Sequence, residues 1–564
     1  QVAETELNRL QNNQVTSINL GRALDIVDDG NGNPVCRSFL DGTDPNCIPF
    51  VSAYVAGAEV DPGLAAYVDT PTLTTGSIEQ FVYGASAQTD LTNYGISTPW
   101  AEDGPNILIV VEYRRDGITA QADGTNQSGG LVGAGGAVLP TNGETDLFEI
   151  FGEIQLPLIQ DAEFAKELGV SAAIRNSSYE SVDILNGVEG GDFSVDTYSV
   201  GATWTPIDDI RFRAQYQRAI RAPNVFELFN PINTNLSSLT DPCSGFAGTD
   251  DAPTATAAEC ANTGVTAAQF GAIPPDSGQL NVVTGGNPNL SPEEADTVTL
   301  GFVYQPSQIP DLLVSVDYYE IELTDAVGSI PASFTLTSCL ETGDPTFCAL
   351  INRGTDGSLT QVPREQAAIT ATSINTGGQN IAGFDFQVGY GYDFDQWGQV
   401  SVNYNANYQL ENGTIAIEGA APFDCVGYYG DSCANPTFEY SHSVGVAYQS
   451  PWKVRGNVLW RYLSSVERID SIDTDTGAVT TFQQAGTQSV SSELDGEHYF
   501  DVSAFYDFND FVELRAGVNN VFDNDPPIVP TFGPSPTANV EANTVAGVYE
   551  AAGRFVFVGA KLSF

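Results

Sequence analysis

Between Val400 and Leu410 the chain alternates without a break: Val400, Val402, Tyr404, Ala406, Tyr408 and Leu410 fall on one side, Ser401, Asn403, Asn405, Asn407 and Gln409 on the other. A period of two sends successive side chains to opposite faces of a strand, and no helix carries it. The stretch Gly553 to Phe564 repeats the pattern, with Val556, Val558, Ala560, Leu562 and Phe564 against Phe557, Gly559, Lys561 and Ser563. So does Ile210 to Ile220, where Phe212, Ala214 and Tyr216 alternate with Arg211, Arg213, Gln215 and Gln217. Each strand has one apolar face and one wet face.

Extended along the chain, the same reading predicts about fifteen strands of roughly 10 to 15 residues, the length of a tilted bilayer span. They fall at 76–91, 106–115, 146–157, 164–178, 193–205, 210–220, 295–305, 312–323, 381–394, 400–411, 438–449, 452–463, 499–508, 511–522 and from about 548 to the end. Short turns such as P-I-D-D and D-Q-W-G alternate with long loops, as in an antiparallel transmembrane β-barrel. Trp204, Trp397, Trp452 and Phe511 flank short turns, where an interfacial aromatic girdle belongs. Residues 1–76 show no sustained alternation and carry the turn clusters DDGNGNP and DGTDPN around Cys36 and Cys47. They read as an external loop region, with 77–564 as the barrel. An odd count brings the first strand in from the external side, which implies further polypeptide before residue 1. Polar inward faces imply a wet lumen or a polar plug.

Composition narrows the class. With 56 Gly, 23 Tyr and 30 Phe, sheet and turn are favoured over helix. No run approaches the roughly 20 apolar residues of a spanning helix, and a mean hydropathy of −0.10 does not exclude a barrel, whose alternation averages out. A net charge of −52 argues against nucleic acid as a partner. The chain has no Met, even at position 1, and no leader-like start, so it reads as cut or partial. Eight cysteines form four close pairs, Cys36 with Cys47, Cys243 with Cys260, Cys339 with Cys348, and Cys425 with Cys433. Counting back from Phe564, every pair falls in a long loop. Zinc is the rival reading, but His442 and His498 are the only imidazoles and no C-x-x-C occurs, so four disulfides in an oxidising compartment are expected. No P-loop, HExxH or GxSxG appears, and no enzymatic role is expected. The acidic loops at TDDA and DDGNGN offer oxygens to Ca²⁺ without the spacing of a calcium-binding loop.

The segment FRAQYQRAIRAPNVFELFNP (Phe212–Pro231) resembles a strand-end motif of the carboxy-terminal barrel of TonB-dependent outer-membrane receptors. GGNPNLSPEEADTVTLGF, NIAGFDFQVGY, LRAGVNNVFDNDPP and the Phe-terminated last strand are similar to further family segments, in the family's order. The resemblance implies a 22-stranded barrel in the outer membrane of a Gram-negative bacterium, loops external and carboxy terminus periplasmic, with Phe564 as the assembly signal. It also implies an amino-terminal plug and a TonB box. Those, with seven strands, are expected on a second polypeptide or a missing segment, and the TonB complex would act through that plug. Within the motif, Arg218, Arg221, Asn224 and Glu227 either order the strand end and loop or contact the solute.

The expected activity is TonB-dependent uptake of a scarce small-molecule solute, an oligosaccharide or other neutral compound before a ferric siderophore. Acidic loops repel ferric-catecholate anions, although salt screens this beyond about 8 Å. Phe423, Tyr428, Tyr429 and Phe482 are the candidate sugar-stacking aromatics. Haem is disfavoured, because both histidines share the parity of lipid-facing neighbours. A passive porin and a structural or adhesive surface barrel are the remaining readings.

Overall fold

A computed structural model describes residues 1–53, 61–133, 136–361, 364–415, 423–430, 433, 435–472, 479–481, 493–529, 540–541 and 544–563. Among them one seventeen-stranded sheet dominates. Sixteen of its strands are long, and the seventeenth is the two-residue Phe423–Asp424. In chain order they are β1 (Val2–Val15), β2 (Asp69–Asp90), β3 (Asn106–Ala122), β4 (Thr141–Ala162), β5 (Ala165–Asp183), β6 (Val188–Ile207), β7 (Ile210–Arg221) and β8 (Glu293–Tyr304). There follow β9 (Leu312–Thr324), β10 (Gly378–Asp393), β11 (Gln399–Ile415), β12 (Tyr440–Gln449), β13 (Val454–Leu463), β14 (Glu497–Asn509), β15 (Val512–Asn519) and β16 (Phe555–Leu562). Each pairs antiparallel with the next, from β1 on β2 through β7 on β8 to β15 on β16. No helix is long and apolar enough to cross a membrane, which says nothing of crossing by strands.

The predicted faces survive in the register. Val558 lies opposite Ala516 and Val556 opposite Val518, and Val558 is 82% exposed. On β7 and β8, Phe212 faces Phe302 and Ala214 faces Leu300. On β11, Tyr404 faces Val388 and Val402 faces Tyr390. This outer face is apolar and solvent-bare, whereas the opposite face carries Asn403, Asn405, Asn407, Arg213 and Asp317. An apolar face left uncovered by protein needs another apolar medium. Trp204, Trp397, Trp452 and Phe511 are all exposed beside short turns, with Trp397 and Trp452 packed edge to face at 6.0 Å.

Two expectations are corrected. Residues 1–76 are not all loop, because Val2–Val15 form β1, with Val2 opposite Phe81 and Val15 opposite Asp69. Its alternation is illegible, since both faces are largely polar and exposed. Pairing with β2, not side-chain pattern, makes it a strand. The long strands therefore number sixteen among the described residues, an even count, and β1 runs toward the long-connection end instead of entering from it. Several strands also outrun the predicted length: β2 and β4 have 22 residues and β6 has 20.

All four disulfides pair as expected, and there is no free cysteine. Each lies in a connection at the long-loop end. Two of the three longest such connections, 222–292 and 325–377, share one apolar core built on Cys243, Cys260, Ile273, Leu280, Leu336 and Ile369. A four-stranded sheet joins them, with Leu280–Thr284 lying parallel to Ala368–Thr370.

Candidate functional site

The motif around Arg221 stands where β7 gives way to a loop. Asn224 caps the short helix Val225–Phe229, its Oδ1 accepting the Phe226 and Glu227 N–H groups at 2.9 and 3.0 Å, while the Glu227 carboxylate accepts the Asn224 N–H at 2.7 Å. The reciprocal pair satisfies N–H groups that no helix can satisfy internally. Arg221 then bridges two carboxylates, donating to Glu227 at 3.0 and 3.1 Å and to Glu293 at 2.6 and 2.7 Å. Glu293 also accepts the Val327 N–H at 2.7 Å. One guanidinium thus joins β7, the first residue of β8 and the chain leaving β9. Arg218, one face round, donates twice to Asp296, at 2.9 and 2.6 Å. All four motif residues are thus engaged by neighbouring strand and loop groups.

The polar face holds the chemistry available to a solute. Arg213 grips Asp317 through two hydrogen bonds of 2.7 and 2.6 Å. Arg461 reaches Asp501 at 3.0 Å and Glu550 at 2.8 Å, and Arg455 reaches Asp507 at 3.1 Å and Glu513. Each of these cations is engaged by carboxylate. Between them Asn407 donates to Asp385 and to the Tyr319 hydroxyl, both at 2.9 Å. A cavity of about 600 Å³ opens here, lined by Asp317, Asp385, Gln387, Asn405, Asn407 and Arg461 among others. Its amides and carboxylates accept hydrogen bonds readily and repel anions.

Above this wall the fused loop cap is locked by an ion pair that sequence reading missed. Arg353 donates to Asp241 at 2.5 and 3.0 Å, with side chains only 4% and 1% exposed, and it also reaches the Thr263 and Gly357 carbonyls. The partners are 112 residues apart, so no local signal announces them.

Of the stacking candidates, Tyr429 is corrected. It is 1% exposed within an apolar cluster of Val466, Leu494, Val529, Val545 and Tyr549, and burial pushes its phenol up to about 12. A ring so enclosed anchors loops and offers no face to a sugar. Phe423 and Tyr428 are half-buried, and Phe482 and Phe564 lie outside the described residues. The carboxylates of Asp28 and Asp29 in DDGNGN each accept backbone N–H groups of their own turn, and a hydrogen bond from Asn33 leads the causes that hold Asp29 down at about 2. Both histidines sit among outer-face aromatics: Trp460 donates to His498 Nδ1 at 3.2 Å and packs edge to face on His442 at 4.4 Å. That position agrees with the parity reading.

A continuous antiparallel sheet with an apolar outer face, a charged inner face and disulfide-closed loops at one end defines the class of outer-membrane β-barrels. Residues 37–521 match the family described as "TonB dependent receptor-like, beta-barrel", and the chain belongs to it. The family is one of outer-membrane transporters. No curated protein sequence matches the chain. Among solved structures, the ferric enterobactin receptor PfeA of Pseudomonas aeruginosa in complex with enterobactin is similar at 13% identity and a TM-score of 0.50, covering 90% of this chain and 56% of that one. The siderophore receptor PirA from Acinetobacter baumannii is similar at 13% identity and a TM-score of 0.43, covering 90% of this chain and 65% of that one. The FrpB iron transporter from Neisseria meningitidis follows at 14% identity and 0.46, covering 88% and 56%. The chain spans little more than half the length of PfeA.

Proposed function

We propose that this chain forms barrel wall and external loops of a TonB-coupled importer that carries a chelated metal ion across the outer membrane, in a neutral or cationic complex. The plug, its TonB contact and further strands come from polypeptide outside these residues. The metal-chelate reading takes precedence over the oligosaccharide because PfeA, which shares the fold, is a ferric enterobactin receptor, and because the sugar-stacking case has lost Tyr429 to a loop core. The charge restriction rests on one observation: Arg213, Arg455 and Arg461 are each paired with carboxylate, leaving an acidic, amide-lined wall. A triply anionic ferric tricatecholate meets repulsion there, whereas a neutral ferric trihydroxamate meets hydrogen-bond acceptors.

The test is binding to the purified protein in detergent, followed by intrinsic fluorescence, with a ferric trihydroxamate, a ferric tricatecholate and a neutral oligosaccharide side by side. Saturable binding of the first alone supports the proposal. Preference for the tricatecholate refutes the charge argument, and binding of the oligosaccharide alone restores the oligosaccharide reading. Planar-bilayer conductance with no solute binding would favour a passive porin.

A further inference from the structure

On the outer face, two groups of four side chains repeat almost atom for atom. Tyr113 donates to Asp146 Oδ1 at 2.7 Å, Arg115 donates to both Asp146 oxygens at 2.7 and 2.8 Å, and its remaining nitrogen stands 3.7 Å from Glu144. Tyr216 donates to Asp296 Oδ1 at 2.8 Å, Arg218 donates to both Asp296 oxygens at 2.9 and 2.6 Å, and its remaining nitrogen stands 3.4 Å from Glu294. In sequence each is a Y-x-R on one strand against an E-x-D on the next, with Arg115 opposite Asp146 and Arg218 opposite Asp296. Counted from the first residues of β3 and β7, both guanidiniums stand about 26–30 Å up the strand at about 3.3 Å per residue. Four strand spacings, about 19 Å, separate them laterally.

This level is a boundary. Below it the same face is apolar and bare: Ile109, Ile150, Val200 and Leu300 are 49–56% exposed. At and above it the face turns acidic, continuing through the exposed Glu180, Asp196, Glu320 and Glu322. Among the described residues of β2 to β9, Arg115 and Arg218 are the only cations on this upper rim, and each already spends its fork on one carboxylate while facing another. Neither is free to hold a phosphate. The surrounding carboxylates accept hydrogen bonds from hydroxyls and repel anions. Tyr83 and Tyr198, 64% and 38% exposed on the same face, add ring surfaces of the kind that stack on sugars.

We infer that this rim is a lipid-headgroup site that selects uncharged, hydroxyl-rich glycolipid over phosphorylated lipid. The carboxylates accept the sugar hydroxyls, the Tyr–Asp–Arg sets hold those carboxylates in place, and the apolar band beneath receives the acyl chains. The inference rests on the outer-membrane placement and is independent of the imported solute.

The experiment is competitive lipid displacement from the purified protein in detergent, read by native mass spectrometry, with a monoglucosyl diacylglycerol and bisphosphorylated lipid A as probes, in EDTA and in Mg²⁺. The glycolipid should half-displace detergent at about one tenth of the lipid A concentration, as expected when each phosphate meets unscreened carboxylates, and should do so equally in both buffers. The variant carrying Glu144→Gln, Asp146→Asn, Glu294→Gln and Asp296→Asn should lose that gap, with heat-modifiable gel migration as the check that it is folded. The pair Glu180→Gln and Glu322→Gln, exposed rim carboxylates outside the two sets, keeps the test open if the first variant does not fold, and should narrow the gap in the same direction. Equal or preferred binding of lipid A in either buffer overturns the inference, as does a gap that survives neutralisation of the carboxylates. A chain that floats with vesicles of every composition and shows no headgroup preference overturns this inference alone, whereas one that floats with none overturns the membrane placement as well.

Discussion

Replacing Asp241 by Ala tests whether the long loops form one cooperative cap. Arg353 would keep its place, 4% exposed, with only the Thr263 and Gly357 acceptors to answer its charge. Removing one partner of a buried pair costs about 3–5 kcal/mol, because the survivor's charge stays desolvated and unanswered. If the cap opens as a unit, the open fraction rises by roughly two to three and a half powers of ten. The assay is amide hydrogen exchange on the detergent-solubilised protein. Protection should collapse together in Asn233–Ser237, Leu280–Thr284 and Ala368–Thr370 while the β10–β11 ladder keeps its rates. Adding Arg353→Met should restore much of the protection, since an apolar side chain leaves no stranded charge. Unchanged exchange in Asp241→Ala, or equal loss throughout the barrel, would refute the reasoning.

Removing the Cys243–Cys260 bridge by Ser substitution should destabilise the same cap by about 3 kcal/mol, as for a closed loop of this size, read as faster proteolysis between 233 and 284. Asn224→Ala should cost about 1 kcal/mol through the lost helix cap, with Arg221→Ala costing a similar amount given its exposure; limited proteolysis at 222–232 should rise in both. Val558→Arg, at an outward position, should lower barrel stability in lipid by about 2–4 kcal/mol, whereas Lys561→Ala on the other face should be near neutral, both followed by urea titration of heat-modifiable migration. In the first long connection, a hydrogen bond from Tyr67 and contact with Arg22 hold the Asp44 carboxyl below its ordinary 3.8. A depressed folded-state value contributes stability that is complete above 3.8 and lost as pH falls through the lower value. Protease resistance around 41–53 should therefore be flat at neutral pH and decline only in strong acid, and Tyr67→Phe should remove part of that decline.

The barrel class was legible from the residues because a strand with one lipid face and one wet face writes its geometry at a period of two. Val400–Leu410 and Phe555–Leu562 needed no tertiary information, and neither did the four cysteine pairs, whose separations of 8 to 17 residues leave few alternatives. β1 was illegible because both its faces are polar, so only its ladder with β2 makes it a strand. The fate of loop aromatics was equally closed to sequence reading, since Tyr429 is enclosed by side chains up to 120 positions away, among them Val466, Val545 and Tyr549. Periodicity is a local property and survives in the one-dimensional text. The Asp241–Arg353 lock and the repeated Tyr–Asp–Arg sets depend on which strands and loops meet, and that is decided only when backbone hydrogen bonds and burial bring distant segments into register.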